Sequence, residues 1–123
     1  MATEELDWEQ TLFTVILHAG NARCFAKEAA ELATEGKFEE AKAKLAEANQ
    51  EQVKAHEIEA KIIRLEAQGQ QVPFSILLVH ALDLLLLSWA EIDNTEQFIE
   101  LYRRIDALSE WKNRITTIAN VSV

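Results

Sequence analysis

The sequence predicts an all-α fold: an antiparallel, up-down-up bundle of three helices in a single domain covering residues 1–123. Three observations carry that prediction. Only three glycines and one proline occur, and Gly36, Gly69 and Pro73 fall where the chain would be cut into three long pieces. The pieces are rich in Ala, Glu, Leu and Lys, which favour helix. No stretch alternates β-branched and polar residues as a half-buried strand does.

The first helix is expected over about residues 4–34, with Phe13, Ile16, Leu17 and Gly20 at helical spacing on one face and Gly20 open to close approach by another backbone. Glu35-Gly36 ends it. The second, about 38–67, repeats Ala41, Leu45, Ala48, Ala55, Ile58, Ile62 and Leu65, with Glu40/Lys44 and Glu57/Lys61 as outward i,i+4 ion pairs. The third, about 74–108, begins at Pro73-Phe74-Ser75, where proline suits a first turn, carries a candidate kink at Asp93-Asn94, and is followed by a C-terminal extension. Short connections make neighbouring helices antiparallel, the arrangement of a spectrin-like repeat. From Ile76 to Trp89 the third helix is apolar nearly all round, yet a helix in a three-helix monomer buries only one face. The surplus apolar surface predicts self-association through this helix.

Twelve Lys and Arg against twenty-one Asp and Glu give a net charge of −9, which repels nucleic-acid phosphates and anionic lipid heads. Basic or neutral protein surfaces are the expected partners. A lone cysteine, Cys24, suits a reducing compartment, and MATEELDWEQ lacks the apolar core of a signal peptide, so a cytoplasmic location is expected. The apolar run from Val72 to Ala90 is interrupted by Asp83 and spans a bilayer poorly; burial in protein, without membrane insertion, is the reading.

Within that run His80 and Asp83 stand at i,i+3 spacing, about a turn apart on one side of the helix. Such a pair can serve as a nucleophile with its neighbour, as metal ligands, or as a satisfied structural pair, and these two residues alone leave the structural and functional readings even. No motif for nucleotide binding, zinc or a hydrolytic triad is present. His18 and His56 read as structural or pocket-lining; Arg23 could hold phosphate or a neighbouring acid; Cys24 reads as a small core residue. Trp8, Trp89 and Trp111 are expected at helix ends or a subunit interface.

The surroundings of His80 add more. The segment Leu77-Leu78-Val79-His80-Ala81-Leu82-Asp83 resembles the V-H-A-Q-D-H-L-M signature of the lactose/cellobiose-type enzyme IIA family of the bacterial sugar phosphotransferase system. His18-Ala19-Gly20-Asn21-Ala22-Arg23 is similar to that family's A-G-[DN]-A-R motif, Glu35-Gly36-Lys37-Phe38 to its E-G-[DE]-F turn, Ala55-His56 to its A-H pair, and Ile99-Glu100-Leu101-Tyr102 to its closing I-E-L-Y. These agreements run in order from about residue 10 to 105. The resemblance implies a homotrimer, a nine-helix bundle, in which Asp83 matches an aspartate that gathers at the axis around a metal ion, often Mg2+. It also implies that His80 matches the histidine phosphorylated by the phosphocarrier protein HPr, which then passes its group to a cysteine of enzyme IIB during sugar uptake. His56 and Arg23 are candidate pocket residues beside it.

The chain departs from the pattern at Leu82, Leu84 and Leu86, where the family shows Gln, His and Met, and at Glu59-Ala60, where it shows Gln-Thr. Leucine supplies packing but no ligand or hydrogen bond, so no cofactor is required on this reading and loss of metal dependence is expected. The rival reading is a non-catalytic trimeric helical-bundle scaffold that has lost phosphotransfer.

Overall fold

The structure, a computed structural model, describes residues 6–121 as three helices: α1 (Trp8–Thr34), α2 (Phe38–Ala67) and α3 (Ile76–Val121). No strand occurs among the described residues. The Asp7 side chain accepts a hydrogen bond from the Gln10 N–H and caps α1. That helix therefore starts at Trp8; the expected start near residue 4 lies outside the described residues, and Leu6 and Asp7 are not helical.

Both turns are made the same way. Gly36, at φ +77°, follows α1 while the Lys37 N–H reaches the Leu32 carbonyl and the Gly36 N–H the Ala33 carbonyl. Gly69, at φ +89°, repeats this with Gln70 N–H on the Leu65 carbonyl and Gly69 N–H on the Glu66 carbonyl. This paired bonding satisfies carbonyls the helix end leaves open, and it requires the left-handed backbone that glycine adopts without strain.

Each helix buries a stripe at alternating three- and four-residue spacing. On α1 it is Leu12, Val15, Ala19, Ala22, Ala26, Ala29 and Ala33; on α3 it is Ala81, Leu85, Ser88, Ile92, Thr95 and Ile99. One cluster packs Ala22 to Ala33 against Ala41, Leu45, Ala48, Ile92 and Ile99, and a second packs Leu12 and Val15 against Ala55, Ile62, Ala81 and Leu85. The start of α1 thus meets the end of α2 and the start of α3, which is the expected up-down-up order. The buried face of α1 is not the expected one, since Phe13 and Leu17 are more than half exposed. Close packing selects the alanine stripe and leaves the bulkier residues outside. Cys24 lies two residues from both Ala22 and Ala26, on the outer side of the helix, and is exposed rather than in the core. A Cβ on Gly20 would meet nothing within 4 Å, so among the described residues no backbone closes on it.

Helix α3 also differs from expectation. Pro73 precedes it, and the Ser75 hydroxyl caps it by accepting from the Leu78 N–H. It runs unbroken through Asp93 and Asn94 because both face outward while Ile92 and Thr95 hold the inner stripe. Its 46 residues amount to roughly 69 Å at about 1.5 Å per residue. Beyond Ile99 no residue of α3 is buried, and α3 continues as far as Val121. No helix among the described residues is long and apolar enough to cross a membrane.

Candidate functional site

The site is built on the first turns of α3. Ala81 and Leu85 are fully packed against Leu12, Val15, Ala55 and Ile62, with Leu77 and Leu78 against the same cluster, so the backbone carrying residues 79–84 is held from below. His80 and Asp83 project outward, and both are exposed. The buried structural pair considered from sequence is not what forms: at i,i+3 the two side chains diverge by about 60° around the helix. Neither takes a hydrogen bond or ion pair from another side chain among the described residues.

Helical spacing divides the outer surface of α3 into three strips. Ile76, Leu84 and Leu87 lie one turn behind, one turn ahead and two turns ahead of His80, giving the imidazole an apolar rim on the flank of α3 toward α1. Farther along that flank, Glu91 receives Arg23 of α1 at 2.7 Å. Asp83, Leu86 and Leu87 occupy the middle, facing away from the rest of the bundle. The opposite flank, toward α2, forms one wall of an open cavity of about 650 Å³ lined by His56, Glu59, Leu82, Asp83, Leu86 and Trp89 among others. His56 meets the Trp89 ring edge-on at 5.9 Å between centroids.

The structure therefore brings His56 and Asp83 to one cavity but places His80 outside its lining. Arg23 is not in the cavity either; it holds a neighbouring acid, as one of its two readings allowed. His18 is paired across the α1–α2 seam, 2.5 Å from Glu51 of α2. Burial pushes the Glu51 carboxyl up, but the His18 hydrogen bond and the Lys54 charge outweigh it and hold the group below its ordinary range.

One supporting group escaped the sequence reading. Gln52 and Ser88, both buried, join α2 to α3 one turn beyond Leu85: the Gln52 amide donates to the Leu85 carbonyl at 3.3 Å, and the Ser88 hydroxyl reaches the Gln52 side-chain carbonyl and, at 2.7 Å, the Leu85 carbonyl. Their signal was positional, since each occupies a core place in a mainly aliphatic stripe, with Thr95 the one other polar member. Trp8 is half-buried against the cluster of Leu12, Val15, Ala55, Ile62, Ala81 and Leu85, while Trp89 and Trp111 are about half exposed.

As to metal, no group of three or more His, Cys, Asp or Glu that could hold an ion occurs among the described residues. Asp83 is an exposed carboxylate between Leu82 and Leu84, and a hard cation such as magnesium takes oxygen donors of this kind.

The family model described as "PTS system, Lactose/Cellobiose specific IIA subunit" matches residues 10–103. The chain is 40% identical over 99 residues to the lichenan-specific phosphotransferase enzyme IIA component of Bacillus subtilis strain 168, covering 80% of this chain and 90% of that one. It superposes on the crystal structure of the PTS cellobiose-specific enzyme IIA from Bacillus anthracis with a TM-score of 0.81 at 36% identity, covering 85% of this chain and 95% of the other. A chain in the solution structure of the IIA(Chitobiose)-HPr complex from Escherichia coli matches with a TM-score of 0.71 at 30% identity, covering 85% and 99%.

Proposed function

The chain belongs to the lactose/cellobiose-specific IIA family of the sugar phosphotransferase system, and from that premise we propose that it is a cytoplasmic phosphocarrier in which His80 accepts a phosphoryl group from HPr and gives it to a cysteine of enzyme IIB. The observation that carries this reading is the placement of His80: an exposed, unpaired imidazole on a helix whose inner face is fixed by Ala81 and Leu85. A carrier must present one nucleophilic atom to two different proteins in turn, and an exposed ring on a rigid helix does so without rearrangement.

In the first transfer a ring nitrogen of His80 brings its lone pair to phosphorus as the bond to HPr breaks, and the breaking pair stays with HPr. In the second, the thiolate of enzyme IIB attacks the same phosphorus and the pair of the P–N bond returns to His80. No electrons are gained or lost, and no other residue needs to become covalently attached. Ile76, Leu84 and Leu87 around the ring give each partner an apolar landing surface and keep water from the P–N bond while a partner is seated. The complex of a 30%-identical IIA with HPr supports HPr as donor.

The outward strip of α3 through Asp83, Leu86 and Leu87 is read as the seam of a homotrimer. Three Asp83 carboxylates meeting there would repel one another, and magnesium, when bound, would neutralise them; transfer at His80 makes no use of it.

The test is intact-mass analysis after incubation with enzyme I, HPr and phosphoenolpyruvate. One phosphoryl group is expected on the native chain and none on His80→Ala. An unmodified native chain would favour the scaffold reading, and a phosphorylated His80→Ala variant would move the site elsewhere.

A further inference from the structure

Helix α3 runs on past the family body, and among the described residues nothing of it beyond Ile99 is buried against its own chain. The family match ends at residue 103. Yet Leu101, Ile105, Leu108, Trp111, Ile115 and Ile118 stand between 45% and 65% exposed on this segment. A lone helix of that length bearing six large apolar residues is marginal in water, and such a surface marks an interface.

The arrangement of the apolar residues says what covers them. Leu101, Ile105, Leu108, Lys112, Ile115 and Ala119 recur at alternating four- and three-residue intervals, the spacing of a coiled-coil seam, with a single lysine among them of the kind that sets register. Trp111 and Ile118 widen the stripe on one side, more than a two-stranded seam needs. The inner stripe of the body, Ala81 to Ile99, continues past Tyr102 as Asp106, Ser109, Asn113, Thr116 and Asn120, which are all polar. The segment therefore cannot extend the monomer's own core. Its apolar stripe instead lies on the same outer strip of α3 as Asp83 and Ala90, because these positions differ from Leu101 and Leu108 by nearly whole numbers of helical turns.

We infer that residues 101–121 of three copies wind around one another as a parallel coiled coil, prolonging the seam between subunits beyond the phosphocarrier body. This rests on the reading that the bodies associate through the outer strip of α3. Parallel alignment follows because every body then sits at the same end of the coil. The extension ties the subunits together by a contact remote from His80.

The test uses the full chain with Cys24→Ser, in which a new cysteine is the only thiol. With Leu108→Cys, mild oxidation should link two chains rapidly, since like positions on a parallel seam face each other within disulfide reach. Asp106→Cys, on the polar side, should not link. In parallel, light scattering over a dilution series should give a trimer for the native chain, and Leu108→Lys with Ile115→Lys should raise the concentration at which it dissociates by roughly a hundredfold. Both changes are at exposed positions, and circular dichroism of the body checks that the bundle still folds. A native trimer that neither cross-links through Leu108→Cys nor responds to the lysines would overturn the coiled coil and leave the body's own association standing. A monomeric native chain would overturn both.

Discussion

The two faces of α3 differ more than any other pair of surfaces in the molecule. On the inner face Ala81, Leu85, Ser88, Ile92, Thr95 and Ile99 are no more than 5% exposed; on the outer face Leu86 and Leu87, next to Leu85 in sequence, are 72% and 55% exposed. Both carry large aliphatic side chains, so the presence of apolar residues does not by itself separate them. What separates them is the partner: the inner face belongs to α1 and α2 of the same chain, and the outer face is left for something else. His80 stands at the border between the two, fixed from inside and reachable from outside. That is the placement a carrier needs.

Paired substitutions test this contrast most strongly. Leu85→Ala removes a side chain that is 1% exposed and should cost about 2–5 kcal/mol of stability. Leu86→Ala should shift the unfolding of the dilute chain by no more than about 0.5 kcal/mol and act only where concentration favours assembly. Urea melts at low and high protein concentration check both, and equal losses at low concentration would erase the distinction between the faces.

A smaller effect should come from the polar contact on the inner face. Ser88→Ala leaves the buried Gln52 carbonyl without its donor and should cost about 1–3 kcal/mol, read in the same melts. If the loss were near zero, Gln52 would be satisfied some other way and the locking of α2 to α3 beyond the site would lose its basis.

The smallest effect lies away from α3, on the α1–α2 seam, and sharpens the comparison by excluding the outer face from it. Glu51 is held below its ordinary value of 4.5, so its stabilising contribution is complete above that pH and is lost as pH falls through the depressed value. Native protein should lose stability below pH 4.5 more steeply than Glu51→Gln, whose uncharged amide has nothing to titrate there. Identical acid limbs would contradict the pairing with His18.

Much of the bundle was legible because glycine and helix stripes announce themselves locally. Gly36 and Gly69 marked both turns, and the α2 stripe from Ala41 to Leu65 was read nearly residue for residue, missing Gln52 and including Ile58, which is only partly buried. The face of α1 was misread because bulk was weighed above fit: alanine, not Phe13 or Leu17, allows the closest approach. The length of α3 was underestimated because a helix that leaves its own bundle shows no partner in sequence, only a polar inner stripe after Tyr102. The candidate site was legible in part. His80 and Asp83 could be picked out as ionisable groups in an apolar helix, and an accessible His80 follows from a carrier's need to meet two partners; the leucines around them read equally well as core or as the surface another protein covers. Gln52 and Ser88 went unnoticed because each looks ordinary until its stripe is laid beside the other.

The central claim is that the phosphoryl group rides on a ring nitrogen of His80. The most direct measurement is a phosphorus–nitrogen correlation NMR experiment on nitrogen-labelled chain phosphorylated through enzyme I and HPr, with the ring signals of all three histidines assigned. A one-bond coupling between phosphorus and a ring nitrogen of His80 is predicted; a coupling to His18 or His56, or a phosphorus signal attached to no histidine, would contradict it.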